Sequence, residues 1–252
     1  MKCIVYAATV AALAFLPGAM TAVRAAEIAV LASTGVQAAV VELVPQFEKE
    51  TGHKLNVTWA ASNLLVKQAQ AGEAFDVIIV TPALIKSLVE QGKVMDGSAV
   101  VLARAGLGVA VKQGAPKPDI STVEAFKNAM LNAKGIAYTT AGQSGLHFIS
   151  VLEKLGIADQ VKEKSRTIPS GAAAELVVKG EADTAVQLIP ELAAVPGVEV
   201  VGSFPAELQS YIVLTGGIAS NAKEKTGAQA LLRYLTTPAA ISVIKTKGME
   251  PG

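Results

Sequence analysis

The chain has 252 residues, of which 51% are apolar and 17% charged, a composition that builds a sizeable packed core and excludes a disordered chain. A formal net charge of +1, with no basic stripe or polybasic cluster, argues against a nucleic-acid face and against an anionic-membrane contact. Aromatic residues are only 4%, with Trp59 the single tryptophan, so stacking platforms for sugars or bases are scarce.

The N-terminus reads as an export leader. Lys2 gives a positive start, an apolar run spans Ile4 to Leu16, and Val23-Arg24-Ala25 offers the small or aliphatic residues a signal peptidase reads. Residues 1–25 are therefore expected to be removed, with cleavage after Ala25 or Ala26. The run is 13 residues long and is followed by Pro17-Gly18. That is short of the roughly 20 residues a spanning helix needs. Cleavage takes away Lys2, Arg24 and Cys3, which turns the formal charge from +1 to −1 and leaves no thiol. Cys3 precedes the apolar run, so it is not a lipoprotein acceptor. Disulfides, Cys-ligated zinc and Cys nucleophiles are excluded from the mature chain. A soluble protein of the periplasm is expected, not embedded in a membrane.

Glu27 to Ala32 is a short apolar strand broken by Ser33-Thr34-Gly35. From Val36 to Glu50 apolar residues recur at helical spacing, and Gly52 stops the helix. Lys54 to Ala60 alternates as a strand does; Ser62-Asn63 then opens a helix that Gly72 closes. Phe75 to Val80 is a buried strand, followed by Thr81 as N-cap, Pro82 at the first helical position and a helix to Gln91. Three strand–helix repeats predict parallel strands with right-handed crossovers, the doubly wound α/β class.

Val100 to Val111 is a long glycine-punctuated segment suited to carrying the chain into a second lobe. Ser121 is the expected cap of the next helix, with Glu124 completing a capping box. A strand at Gly135–Tyr138 leads through Gly142-Gln143-Ser144-Gly145 into a helix to Leu155. Ser170-Gly171 is expected to open a helix to Lys179, before strands at Thr184–Leu188 and Val198–Val201. Gln209 to Ala219 is a second long extended segment, and helices at about 223–235 and 238–245 follow. The repeated grammar predicts two α/β lobes joined by two crossings, one at 26–104 and 212–252, the other at 105–211. One continuous domain is the alternative.

In open α/β sheets ligands sit beyond the C-terminal ends of the strands. Those ends here carry Ser33, Thr34 and Gly35, then Ser62 and Asn63, and in the second half Ser144-Gly145 and Ser170-Gly171. Each position offers free backbone N–H groups, short hydroxyls and the positive end of a helix dipole, which together make an anion site without lysine or arginine. Taken singly, each is an ordinary cap; together they form a candidate cleft.

Several blocks carry a resemblance: VLASTGVQAAV, TWAASNLLVKQAQAGEAFDVIIVTPA, GQSGLHFISVLEKLGI and GEADTAVQLIPEL. In order and spacing they resemble the periplasmic molybdate-binding protein family of type II ABC-transporter receptors, over essentially the whole mature chain. The resemblance implies the type II periplasmic binding protein fold and an oxyanion cleft built from hydroxyls and backbone N–H groups. It also implies a membrane permease as partner. Ser62 aligns with a ligand-binding serine of that family, and Ser144 and Ser170 with positions that donate backbone N–H. Gly35 stands where the molybdate binders have their first serine, and Leu188 where they have a ligand-contacting tyrosine. The Ser144-Gly145-Leu146-His147-Phe148 motif resembles a branch that includes a secreted aconitate isomerase, which makes an organic carboxylate a ligand candidate.

Two functions are therefore expected from one cleft. The first is capture of a small anion for a transporter by a monomer. The second is isomerisation of aconitate by allylic proton transfer, with His147 as the base. Gln187, at a strand end, is a further ligand-binding candidate. Trp59 fits a core position better than a pocket wall, and His53 is expected to be exposed. Arg104, Lys112 and Arg166 fit solvated or hinge roles, and Glu181 and Asp183 a polar turn. Two isolated histidines make no metal site, and no motif calls for a cofactor.

Overall fold

The computed structural model describes residues 25–252. The expected leader lies outside the described residues apart from Ala25. The chain opens with β1 (Glu27–Ser33), α1 (Gln37–Thr51), β2 (Lys54–Ala60), α2 (Ser62–Gln70), β3 (Val77–Val80) and α3 (Pro82–Glu90). The long β4 (Val100–Lys112) follows, then α4 (Val123–Asn132), β5 (Ile136–Thr139), α5 (Gln143–Lys154), α6 (Ala158–Lys162) and β6 (Ser165–Ile168). Next come α7 (Glu175–Val178), β7 (Thr184–Leu188), α8 (Ile189–Ala193), β8 (Val198–Ser203) and β9 (Tyr211–Ile218). The chain closes with α9 (Lys225–Tyr234), α10 (Pro238–Thr246) and β10 (Glu250–Pro251).

The strand order is β2-β1-β3-β9-β4-β7-β5-β6, with β8 and β10 also on β4. β1 pairs in parallel with β2 and β3, and β5 in parallel with β6 and β7. These are the crossover units the strand–helix repeats require. β4 joins the lobes because it changes partner along its length. Its first half pairs antiparallel with β9, ending at Gly106↔Tyr211. From Leu107 onward it pairs with β7, and from Gly108 with β8. At that change of partner the Gln209 side chain stands in for a strand. Its Oε1 accepts from Leu107 N–H at 2.9 Å and its Nε2 donates to Leu107 C=O at 2.8 Å.

Period-two alternation sends each strand's side chains to opposite faces. In the first lobe Ile28, Val30, Val77 and Ile79 pack under α1 and α9 with Leu43, Phe47 and Leu231. Leu31, Ile78 and Val80 face the other way, against Leu65 and Leu88 of α2 and α3. Both faces are covered, which explains why VIIV of β3 is buried at every position. In the second lobe one face holds Phe126, Met130, Ile136, Phe148 and Phe204, with the Phe126 and Phe204 rings 4.6 Å apart. The other face is lined by small residues, Ala110, Ala137 and Ala185, against Ala173, Ala174 and Val177. Each large apolar side chain so buried contributes roughly 1.5–3 kcal/mol.

Local expectations differ from the structure at five places. The α4 cap is Thr122, whose hydroxyl accepts from Ala125 N–H; Ser121 is displaced because its N–H is taken by Asp119, 2.9 Å away. Thr81 sits at the N-cap of α3 in extended geometry, but its hydroxyl makes no capping bond. Ser170 opens no helix: Gly171 turns the chain at φ +102°, and regular helix begins only at Glu175. His53 is buried, 4% exposed, stacked 6.1 Å from Phe47 and accepting from Ala26 N–H. β6 was not expected because its four residues carry no apolar run, as befits an edge strand.

Candidate ligand cleft

The ends of β1, β5 and β7 and the starts of α2 and α5 converge on one small cavity between the lobes. The first lobe supplies Ser33, Thr34, Gly35, Ala61 and Ser62. The second supplies Thr139, Gly142, Gln143, Ser144, Ser170, Gly171, Leu188 and Glu191, and Ile212 of β9 completes the wall. The cavity measures about 20 Å³, room for about one water. No lysine or arginine among the described residues lines it.

Each donor is placed by its element. Ser62 and Ser144 lie in the first turns of α2 and α5, where backbone N–H groups have no intrahelical partner and the helix dipole is positive. Both residues are buried, at 3% and 4% exposed. Both residues border the cavity. α5 can start so close to β5 only because Gly145 has no side chain: a Cβ there would fall 1.6 Å from the Thr139 carbonyl oxygen. Ser33 ends β1, and its hydroxyl accepts from Gly35 N–H at 3.3 Å. Gly35 and Leu188, the two departures from the molybdate-binding pattern, are neighbours in space. A Cβ on Gly35 would lie 3.0 Å from Leu188 Cδ1. A leucine methyl group thus occupies the space beside Gly35.

The two lobes are tied across the cavity. Ala61 N–H donates to Ser170 Oγ at 2.7 Å. Asn63 Nδ2 donates to the Ala141 carbonyl at 3.2 Å and its Oδ1 accepts from Gln143 Nε2 at 3.4 Å. Thr34 Oγ1 donates to Glu191 Oε1 at 2.7 Å. This is a closed arrangement of the lobes, and a cavity of this size admits an anion only after these bonds part.

Of the candidate residues, Ser33, Thr34, Gly35, Ser62, Ser144 and Ser170 come together at the cavity. Four do not reach its wall. Asn63 is spent on the cross-lobe ties, and Gly145 lies against Thr139. Gln187 lies behind the wall, 1% exposed, with Nε2 donating to the Gly171 carbonyl at 3.0 Å. His147 is turned away: Nε2 is 2.9 Å from the Leu208 carbonyl oxygen. A carbonyl only accepts, so that nitrogen carries its proton and donates. Arg104 pairs with Glu250 and lies 5.4 Å from the centre of the Tyr211 ring, and Asp183 receives Lys134 and Gly135 N–H groups, as a polar turn does.

Sequence reasoning missed Glu191, the one titratable side chain on the cavity wall among the described residues. Its Oε2 accepts from Leu188 N–H at 3.3 Å and from Gln187 Nε2 at 3.4 Å. Burial pushes its carboxyl above the usual carboxylate range, against the opposing pull of Thr34, Leu188 and Gln187. The available signal was its position, three residues after Leu188, in the first turn of α8. On its other side Glu191 borders a wider groove of about 580 Å³, lined also by Gln37, Val41, Val178 and Pro190.

Comparisons with known proteins place this α/β fold in a family. The sequence profile described as Bacterial extracellular solute-binding protein matches residues 28–250. The chain belongs to this family. An aconitate isomerase from Pseudomonas sp is 33% identical to this solute-binding protein over 88% of the chain and 87% of its own length. The molybdate-binding protein ModA of Azotobacter vinelandii is 30% identical over 90% of the chain and 91% of its own length. Among solved structures, the periplasmic molybdate-binding protein of Azotobacter vinelandii superposes with a TM-score of 0.76 at 23% identity, covering 88% of this chain and 98% of that one. The solute-binding protein therefore has the two-lobed binding-protein fold. No helix among its described residues is long and apolar enough to cross a membrane.

Proposed function

We propose that this solute-binding protein captures a small multiply charged anion between its lobes in the periplasm and delivers it to an ABC-type permease. The observation that carries this reading is the cavity wall itself. Hydroxyls of Ser33, Ser62, Ser144 and Ser170 and the first turns of α2 and α5 meet there from both lobes. Such neutral, fixed donors hold negative charge through charge-assisted hydrogen bonds, and a closed low-dielectric gap strengthens each one. The Gly35–Leu188 contact puts hydrocarbon at two positions where the resemblance to molybdate binders implies hydroxyl donors. The reading therefore favours an organic carboxylate over molybdate. A thermal melt of the mature protein against trans-aconitate, tricarballylate, molybdate, tungstate and sulfate tests it. The carboxylates are expected to raise the melting temperature more than the metal oxyanions, and no shift with any of them refutes capture of this class.

A second reading is supported by Glu191 and by the aconitate isomerase relative. A carboxylate lining an anion cleft is placed to move a proton between two allylic carbons of an aconitate-like acid. Glu191 suits that role better than His147, whose Nε2 is engaged by Leu208. Incubating trans-aconitate with the protein in deuterated water decides it: cis product with deuterium at an allylic carbon supports the isomerase, and unchanged substrate dismisses it.

A further inference from the structure

The side chain that least suits an anion cleft is Glu191. A carboxylate and an anion enclosed together repel each other, and the cleft offers no cation to offset the charge. The groups that contact the Glu191 carboxylate are neutral: the Thr34 hydroxyl, the Leu188 N–H and the Gln187 amide. Several charged groups on the surrounding elements are engaged with one another. Lys179 and Glu175 of the α7 segment, which face the same outer groove, are paired at 3.6 Å. Glu42 of α1 pairs with Lys247 at 2.6 Å, and Glu199 of β8 with Lys117 at 2.7 Å. On β4, Arg104 is held by Glu250, and Lys112 lies at the far end of the strand. The 3-10 turn at Thr34–Val36 carries no charge. On α5, His147 is bonded to the Leu208 carbonyl.

We propose that Glu191 makes anion capture proton-coupled: the closed cleft takes its anion together with one proton held on this carboxyl group. In the neutral form Glu191 changes from a repelling charge into a hydroxyl donor beside Ser33, Ser62, Ser144 and Ser170. It then adds one more O–H to a wall that already works through neutral donors. The Thr34 hydroxyl continues to donate to Oε1, so the tie between the lobes survives protonation. Glu191 also separates the inner cavity from the outer groove, which gives the proton a route from solvent while the lobes are shut.

The inference rests on the anion-capture reading, and calorimetry separates the two. Mature protein is titrated with trans-aconitate, tricarballylate and molybdate in two buffers of different ionisation enthalpy, between about pH 6.5 and 8.5, where carboxylic acids of ordinary pKa are fully ionised. Toward the upper end, uptake approaching one proton per bound anion is expected, with affinity falling by up to about tenfold per pH unit. Glu191→Gln, which keeps a donor and removes the charge, is expected to bind without proton uptake and with an affinity that no longer follows pH. Binding by the wild type with no proton uptake overturns the proposal and leaves anion capture standing. Uptake that persists in Glu191→Gln overturns it as well, because another group then carries the proton. Failure of all three probes to bind refutes anion capture and the coupling with it.

Discussion

At the scale of single residues, the cleft depends on what is missing as much as on what is present. Gly145 lets the first turn of α5 sit against the end of β5, with the site of its absent Cβ 1.6 Å from the Thr139 oxygen. Gly145→Ala forces backbone to move, and a loss of at least about 3 kcal/mol in a urea melt is expected. Gly35 is tighter than it looks in sequence, with Leu188 and Leu214 methyls each 3.0 Å from the position of a Cβ. Gly35→Ala is expected to cost about 1–2 kcal/mol, and Leu188→Ala in the same chain to relieve part of it. A double-mutant cycle should therefore show a coupling of about 0.5 kcal/mol or more between these positions, and simple additivity would refute the contact. The serines at helix starts were legible because cap residues announce themselves by type and place. Glu191 was not, since a glutamate in the first turn of a helix is the usual solvated choice. Only its partner Thr34, 157 residues away, turns it inward.

Among the elements, caps decide where helices begin and so where their N–H groups point. For α4 the competition between neighbouring hydroxyls is settled by Asp119, which holds the Ser121 N–H and leaves Thr122 to cap. Thr122→Ala is expected to lower stability by about 1 kcal/mol and Ser121→Ala by less than about 0.5 kcal/mol in chemical denaturation. The reverse order would restore Ser121 as the cap. Ser170 shows the limit of reading caps from sequence. Ser-Gly before an apolar stretch looks like a helix start, yet Gly171 at φ +102° sends the chain into a turn. Ser170 still reaches the cavity because the Ala61 N–H holds its hydroxyl from the opposite lobe. No local pattern encodes that bond. The parallel strands were legible because a strand covered on both faces must be apolar almost throughout, as β3 is.

For the molecule as a whole, a few polar ties contribute to closure. Removing the Asn63 amide cuts two of them, so Asn63→Ala is expected to open the lobes and to weaken capture of the best-binding anion by up to about tenfold. Small-angle scattering should then show a larger radius of gyration for the ligand-free variant, and an unchanged radius would refute the tie. Stability should also follow pH through Glu191. Its carboxyl is held above the ordinary range by burial, so the native state keeps a proton that the unfolded chain has already lost. The native state therefore gains stability below the ordinary carboxylate range and loses it as pH rises through the elevated value. The difference between wild type and Glu191→Gln in urea midpoint should shift in favour of the variant from about pH 5 to pH 8. A difference that does not change with pH would mean that Glu191 titrates like an exposed carboxylate.

The amino-acid order alone determined the α/β class, the strand–helix repeats and the polar residues at strand ends, because periodicity and capping are local physics. It could not determine which of those polar residues share one gap. That depended on β4 pairing with β9 in its first half and with β7 and β8 in its second, which brings the two lobes face to face. Contacts such as Thr34–Glu191 and Ala61–Ser170 join residues more than a hundred positions apart. Their partners are chosen by the docking of whole lobes, and no stretch of sequence short enough to carry a pattern contains both.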